Sequence, residues 1–255
     1  MKFTTFNIRC DYDQDGKNSF RYRRELILKK IAAELPDAIG FQEVLPHVQR
    51  WLRENLSGYT VIGCGRDADF GGEAMTIAVR NETAELLGLS TFWLSPEPYR
   101  PGPRYENQSD CPRTCAVAEL LVQGAPGPIR LYNTHLDHIG AEARAQGLTQ
   151  VLRRMEEDTA RLPMPALLMG DMNALPDSPE LAPVGDFPAL GLTDLTAGIP
   201  VTFHNYGLPG EEPCKIDYIY ATPQFKAERV ERWMDEEDGV FLSDHYPVCA
   251  EVSLR

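Results

Sequence analysis

The amino-acid sequence predicts an α/β sandwich built on mixed β-sheets. Three observations carry that expectation. Short apolar runs of strand length alternate with helix-like stretches from end to end. Some strand-like runs follow one another in hairpin-like succession and others are separated by helices, which points to mixed sheets rather than a simple parallel one. No repeat, low-complexity stretch or linker divides the chain, and its 255 residues, 43% of them apolar, suit one large domain, taken as residues 1–255.

The chain opens on a strand at residues 2–8. Residues 21–35 read as a helix, because Leu26, Ile27, Ile31 and Leu35 fall on one side. Its Arg21, Arg23, Arg24, Lys29 and Lys30 read as a solvated face. Ala38 to Val44 reads as a buried strand and Val48 to Leu56 as a short helix. Strand-like runs follow at 59–63, 74–80 and 84–94. Residues 95–113 carry Pro96, Pro98, Pro101, Pro103 and Pro112 and read as a long loop, of a kind usually functional or mobile. Strands at 115–122 and 129–135 precede the longest helix, 141–158. Ala166 to Met169 is a short buried strand, and 216–221, 226–233 and 246–253 close the chain as strands.

The 38 acidic and 25 basic side chains leave a net charge of −13. The chain therefore lacks the basic field typical of proteins that bind polymeric nucleic acid. No run approaches the roughly 18 apolar residues needed to cross a bilayer, so stable membrane insertion is not expected. The N-terminus starts a strand rather than a secretory leader, and a cytoplasmic location is the expectation. The cysteines at 10, 64, 111, 115, 214 and 249 are scattered and read as free thiols. Zinc at Cys111 and Cys115 would lack a second pair of ligands.

The informative residues interrupt apolar runs near strand ends. Asn7 ends the first strand, and Glu43 follows Ala38 to Gln42. His135 and Asp137 follow Ile129 to Thr134, and Asp171 and Asn173 follow Ala166 to Gly170. Asp217 lies within Lys215 to Tyr220, and Asp244 and His245 precede Tyr246. One such residue is ordinarily a cap or a turn former. A whole set of Asn, Asp, Glu and His is the chemistry that holds a hard divalent cation and moves protons. In extended geometry Asp171 and Asn173 project to one side. The carboxylate can take a proton from water, and the amide can donate to developing charge.

In order, Phe6-Asn7-Ile8-Arg9, Phe41-Gln42-Glu43-Val44, Asn133-Thr134-His135-Leu136, Gly170-Asp171-Met172-Asn173, Ile216-Asp217-Tyr218-Ile219 and Ser243-Asp244-His245 resemble the endonuclease/exonuclease/phosphatase superfamily, the fold of deoxyribonuclease-I-like enzymes. The resemblance spans residues 6–245. It implies a four-layer α/β sandwich with two central mixed sheets flanked by helices. It also implies hydrolysis of a phosphodiester or phosphomonoester with Mg²⁺ or Mn²⁺. By the same resemblance Glu43 is the main metal ligand, with Asn7 and Asp244 as further ligands, direct or through water. Asp171 is the base that activates water, and Asn173 the amide that orients it. His135 and His245 hold non-bridging phosphate oxygens, and Asp217 orients and charges His245. Arg113 is a substrate-phosphate contact by analogy, Arg9 a weaker one. Asp137 and His138 extend the motif as supporting groups or a substrate contact.

Other readings fit less well. Residues 133–138 are similar to the zinc motif of metallo-β-lactamase-like hydrolases, but Asn133 stands where His is needed. Asp11 to Gly16 resembles the start of an EF-hand loop, but Tyr22 occupies its twelfth position. It reads as an acidic loop at the active-site rim. A non-catalytic scaffold would not need the full charged set. The partner expected is a phosphoester substrate, a small molecule or short nucleic acid, with a nuclease on DNA or RNA as the alternative. Tyr99, Arg100, Arg104 and Tyr105 in the proline-rich loop are the expected specificity element. No protein partner is indicated.

Overall fold

A computed structural model describes residues 1–255. Strand β1 (Lys2–Asn7) leads to helix α1 (Phe20–Glu34). Strand β2 (Ala38–Val44) and helix α2 (Pro46–Asn55) follow, then β3 (Tyr59–Ile62), β4 (Ala74–Arg80) and β5 (Ala84–Trp93). After the proline-rich loop come β6 (Thr114–Val122), β7 (Ile129–His135), helix α3 (Ala141–Arg161) and β8 (Ala166–Asp171). The chain ends with β9 (Thr193–Asp194), β10 (Asp217–Ala221), β11 (Phe225–Arg232), β12 (Glu236–Glu237), β13 (Val240–Phe241) and β14 (Val248–Leu254). The two-residue strands are too short for periodicity to announce.

Local chemistry explains the helix ends. Leu35 closes α1 in the left-handed region at φ 50°, its N–H on the Ile31 carbonyl, and Pro36 prevents continuation. Pro46 opens α2, where a missing N–H costs nothing.

The strands form two six-stranded sheets, ordered β11-β14-β1-β2-β4-β3 and β5-β6-β7-β8-β10-β9. β1 runs parallel to β2, and β7 to β8, while the other pairs are antiparallel, so both sheets are mixed. Alternation along β1 sends Phe3 between the sheets, beside Ile77, Leu131 and Met169. It sends Phe6 to the opposite face, under α1 and α2, with Ile27, Phe41 and Leu52. On the second sheet, Val151, Leu152 and Met155 of α3 cover Tyr132 and Leu168. The result is four layers, helices outside two central sheets. Each such aliphatic or Phe side chain contributes about 1.5–3 kcal/mol relative to exposure.

Beneath the site the layer between the sheets turns polar. Gln42 Nε2 donates to Asn133 Oδ1 at 2.7 Å and to Thr5 Oγ1 at 3.1 Å, and Asn133 Nδ2 donates to the Phe41 carbonyl at 2.9 Å. A buried network with its donors paired fixes how one sheet sits on the other.

One expectation for α1 is corrected. Arg23 is fully buried, not part of a solvated face. Its guanidinium donates to the carbonyls of Asn18 (2.5 Å), Ile8 (2.8 Å) and Leu242 (2.7 Å), tying the helix to remote segments. Arg21, Arg24 and Lys29 are exposed, and Lys30 is half-buried. All six cysteines are free thiols. No helix is long and apolar enough to cross a membrane.

Candidate active site

Strand pairing gathers the polar residues at one edge. The parallel register of β7 and β8 sets His135 beside Asp171, and the antiparallel register of β8 and β10 sets Asp217 on its other side. The step before Asp171 requires glycine. Gly170 has φ +146°, and a Cβ there would lie 1.9 Å from the Thr134 carbonyl oxygen. The facing sheet supplies Asn7 from β1 and Glu43 from β2. Arg9 (φ 64°), Glu43 (φ 63°) and Asn173 (φ 48°) all adopt left-handed backbone around this one site, a concentration of strain typical of functional geometry.

Asn7 is the hub. Its Nδ2 donates to Glu43 Oε1 and to Asp171 Oδ2, each at 2.9 Å. Glu43 Oε2 also accepts the Cys10 N–H at 2.8 Å. Burial alone would raise the Glu43 carboxyl, but the Asn7 amide, the Cys10 N–H and the charged His245 hold it well below the usual carboxylate range. Asp171 Oδ1 accepts the Asn173 N–H at 2.9 Å, while Oδ2 lies 3.4 Å from His135 Nε2 and 3.7 Å from His245 Nε2. Burial, and then the charge of Asp217, push Asp171 up to about 7.

The two imidazoles differ in state. His245 Nδ1 sits 2.8 Å from Asp217 Oδ2. Burial opposes its charge, yet Asp217, Asp171 and Asp244 raise it to about 10, so it is a cation at neutral pH. His135 is driven well below its ordinary value by burial and by Arg113, and it is neutral. Asn173 Nδ2 donates to the Leu136 carbonyl at 3.1 Å and faces His135 Nε2 at 2.9 Å. That pattern assigns Nε2 as the acceptor and the ring proton to Nδ1, which has no partner.

Glu43, His135, Asp171, Asn173 and His245 line a cleft of about 670 Å³, and Asn7 and Asp217 are buried behind them. Asn7, Glu43, His135, Asp171, Asp217 and His245 thus converge as expected from the strand ends, whereas Asn173 joins them from beyond β8 in left-handed, not extended, backbone. Asp244 also reaches the cleft, but its oxygens face the Ser243 hydroxyl at 3.0 Å and Arg9 at 3.3 Å. Arg9 is held between Asp244 and Asp15, with Nε 3.1 Å from Asp15, so acidic neighbours already occupy its guanidinium. The Asp11 to Gly16 loop is a rim loop: Asp15 holds Arg9, and Asp11 meets His47 at 2.9 Å.

Arg113 is buried, with Nη2 at 2.8 Å from His138 Nδ1 and Nε 3.6 Å from Asp137 Oδ1. His138 is half-exposed at the rim. Asp137 is fully enclosed. It accepts the N–H groups of Ser109 (3.1 Å), Ile139 (3.2 Å) and Gly140 (2.7 Å) together with the Ser109 hydroxyl. Burial opposes its charge, but those donors hold it down to about 2.

The expected specificity element is corrected. Of the proline-rich loop only Cys111 and Arg113 reach the cleft. Tyr99 and Tyr105 line a separate groove against α3, Arg100 pairs with Glu97, and Arg104 with Asp110. Sequence reasoning also missed Arg66 and Glu73, a buried ion pair in the cleft wall, and Glu211 and Glu212 on its rim. The pair lies seven residues apart in a loop, where no periodicity marks it.

The donor set fits a divalent cation. One ligand atom from each of Glu43, His135 and Asp171 lies within 4.8 Å of the others, and Asp171, Asp217 and His245 form a second such group. Carboxylate oxygens suit Mg²⁺ or Mn²⁺. The crowding that makes Asp171 resist ionisation is what a cation between the carboxylates relieves. The Asn7 Oδ1 accepts the Arg9 N–H at 3.0 Å, so the amide nitrogen faces the carboxylates, and ligation by Asn7 requires the amide to turn over.

A four-layer sandwich with carboxylates and imidazoles gathered at its strand ends is the architecture of the deoxyribonuclease-I-like proteins. The chain belongs to the endonuclease/exonuclease/phosphatase family, whose model matches residues 4–245. It is similar to the endonuclease/exonuclease/phosphatase protein of Bacteroides vulgatus, at 32% identity and TM-score 0.90, over 100% of this chain and 98% of that one. It is similar to a mannosyl-6-phosphatase of Bacteroides thetaiotaomicron, at 25% identity and TM-score 0.87, over 100% of both chains. D. rerio TDP2, complexed with a single-strand DNA product, shares the fold at 19% identity and TM-score 0.79, over 99% and 98%. No curated protein matches the chain.

Proposed function

We propose that this chain acts as one domain, a Mg²⁺- or Mn²⁺-dependent hydrolase of phosphoesters with a small or short substrate, and that Asp171 activates the attacking water. The observation that carries the reading is the setting of Asp171. It is a buried carboxylate within hydrogen-bonding distance of the Asn7 amide and within 4 Å of both imidazoles.

In this reading each residue has one task. Asp171, enclosed and facing both imidazoles, takes the proton of water. Asn173 holds the attacking group beside it. The charged His245 donates from Nε2 to a non-bridging phosphate oxygen, and Asp217 keeps it charged. His135, through Nε2, accepts the Asn173 amide and so positions it beside Asp171. Glu43 would hold the cation, with Asp244 in the same cleft. When bound, the cation supplies Lewis-acid stabilisation of the phosphoryl oxygens.

The net charge of −13 and the acidic rim at Glu211 and Glu212 oppose a long polyanion. The likeness to a mannosyl-6-phosphatase makes sugar phosphates the first class to test. The test is hydrolysis with Mg²⁺, Mn²⁺ and Ca²⁺ across nucleic acids, nucleotides, phospholipid head groups and sugar phosphates. Chelator-sensitive turnover of a small phosphoester is expected. Turnover of no phosphoester contradicts the reading, and efficient cleavage of unmodified duplex DNA contradicts the substrate size.

A further inference from the structure

We propose that the Arg66–Glu73 pair, with His138 on the neighbouring wall, forms a hydroxyl-recognition subsite, so that the substrate is a phosphoester of a polyhydroxylated alcohol such as a sugar. The inference rests on the phosphoesterase reading of the same cleft and adds the part of the substrate that is not phosphate.

Hydrolysis as described above leaves Arg66 and Glu73 unused. Their side chains hydrogen-bond only to each other, Nη1 to Oε2 at 2.7 Å and Nη2 to Oε1 at 3.0 Å. Both are more than nine-tenths buried and both line the cleft that holds Asp171 and His245. The Arg66 Nε–H is enclosed in the wall with no partner, and each Glu73 oxygen keeps a free lone pair. The loop that carries the pair is rigidly built. Trp93 Nε1 donates to the Arg66 carbonyl at 2.6 Å, and the Arg66 N–H donates to the Glu73 carbonyl at 3.0 Å.

The charge of this wall selects the ligand. A second phosphate would meet the Glu73 carboxylate, with Glu43 close enough to raise the proton affinity of Glu73 after burial has done so. A neutral, planar pair of donor and acceptor suits a hydroxyl, which both donates and accepts. His138 adds a neutral donor. Its Nδ1 accepts from Arg113 at 2.8 Å, which leaves the proton on Nε2 of a half-exposed ring.

The lining also argues against a nucleobase. Phe203 is the only phenyl, phenol or indole ring in the cleft wall, and it lies against His245 with centroids 5.0 Å apart. Base recognition without a stacking platform forfeits its main source of affinity.

The test compares hexose 6-phosphate, hexyl phosphate and a mononucleotide, with wild type and Glu73→Gln. Wild type is expected to prefer hexose 6-phosphate to hexyl phosphate by at least about tenfold in kcat/KM. Glu73→Gln is expected to shrink that ratio by about tenfold, chiefly through KM. An equal loss on both substrates assigns the pair a purely structural role and overturns the proposal, as does a wild-type preference for the mononucleotide or for hexyl phosphate. A binding arm separates this inference from the activity. In the Asp171→Asn background, hexose 6-phosphate is titrated by calorimetry with Glu73 intact and with Glu73→Gln. About tenfold weaker binding on Glu73→Gln supports the subsite even if turnover fails, and unchanged binding overturns it.

Discussion

Oδ2 of Asp217, at the start of β10, lies 2.8 Å from Nδ1 of His245, just before β14, and both side chains are more than nine-tenths buried. This pair joins the two sheets beside Asp171. Asp217→Asn keeps the shape and removes the charge. The His245 proton affinity should then fall from about 10 towards the ordinary value of 6.5, read by NMR titration. A raised folded pKa stabilises fully below about 6.5 and ceases to do so as pH rises to about 10. Asp217→Asn should therefore cost about 3 kcal/mol at pH 6 and much less at pH 10. A pH-independent loss in urea denaturation would show that the pair is not an ion pair.

Asp137 organises the cleft wall without lining the cleft itself. Its carboxylate gathers donors from Ser109, Ile139 and Gly140 and faces the Arg113 guanidinium. Asp137→Ala leaves those donors unpaired, at a cost of about 3 kcal/mol. Hydrogen exchange should rise selectively at Ser109, Ile139 and Gly140. Unchanged protection there would mean that other contacts hold the loop.

His204 sets a limit at acid pH. Its ring stacks on Tyr246 with centroids 4.0 Å apart, and its Nε2 has no partner. Burial and the nearby His245 lower it to about 4. The unfolded chain takes a proton at about 6.5 and the folded chain does not, so stability is lost as pH falls from 6.5 towards 4. His204→Phe keeps the stack and should remove on the order of 2 kcal/mol of that acid loss. Parallel stability curves for the two proteins between pH 7 and pH 4 would contradict the assignment.

The polar cluster is legible in the sequence because Asn7, Glu43, His135, Asp171 and Asp217 each interrupt an apolar strand, and pairing brings such interruptions to one edge. Residues whose partners come from remote segments are not. Arg23 stands at a polar position of its helix, and only the carbonyls of Ile8 and Leu242 draw it inward. The prolines of residues 95–113 announce a loop but not its direction, which Tyr105 settles by bonding Gln150 of α3 at 2.8 Å. The Arg66–Glu73 pair rests on a loop closed by its own backbone bonds, which no residue pattern signals. The proton position on His135 follows from the placement of Asn173 and Leu136, a three-dimensional fact.

Asp171→Asn tests the central claim most directly, with Mg²⁺-dependent turnover of the best small phosphoester and thermal unfolding measured on the same samples. The amide cannot accept the proton of water, and it no longer repels Asp217. The account predicts that activity falls by about 10³-fold or more while Tm stays level or rises. Turnover within tenfold of wild type, or wild-type turnover indifferent to a chelator, would contradict it.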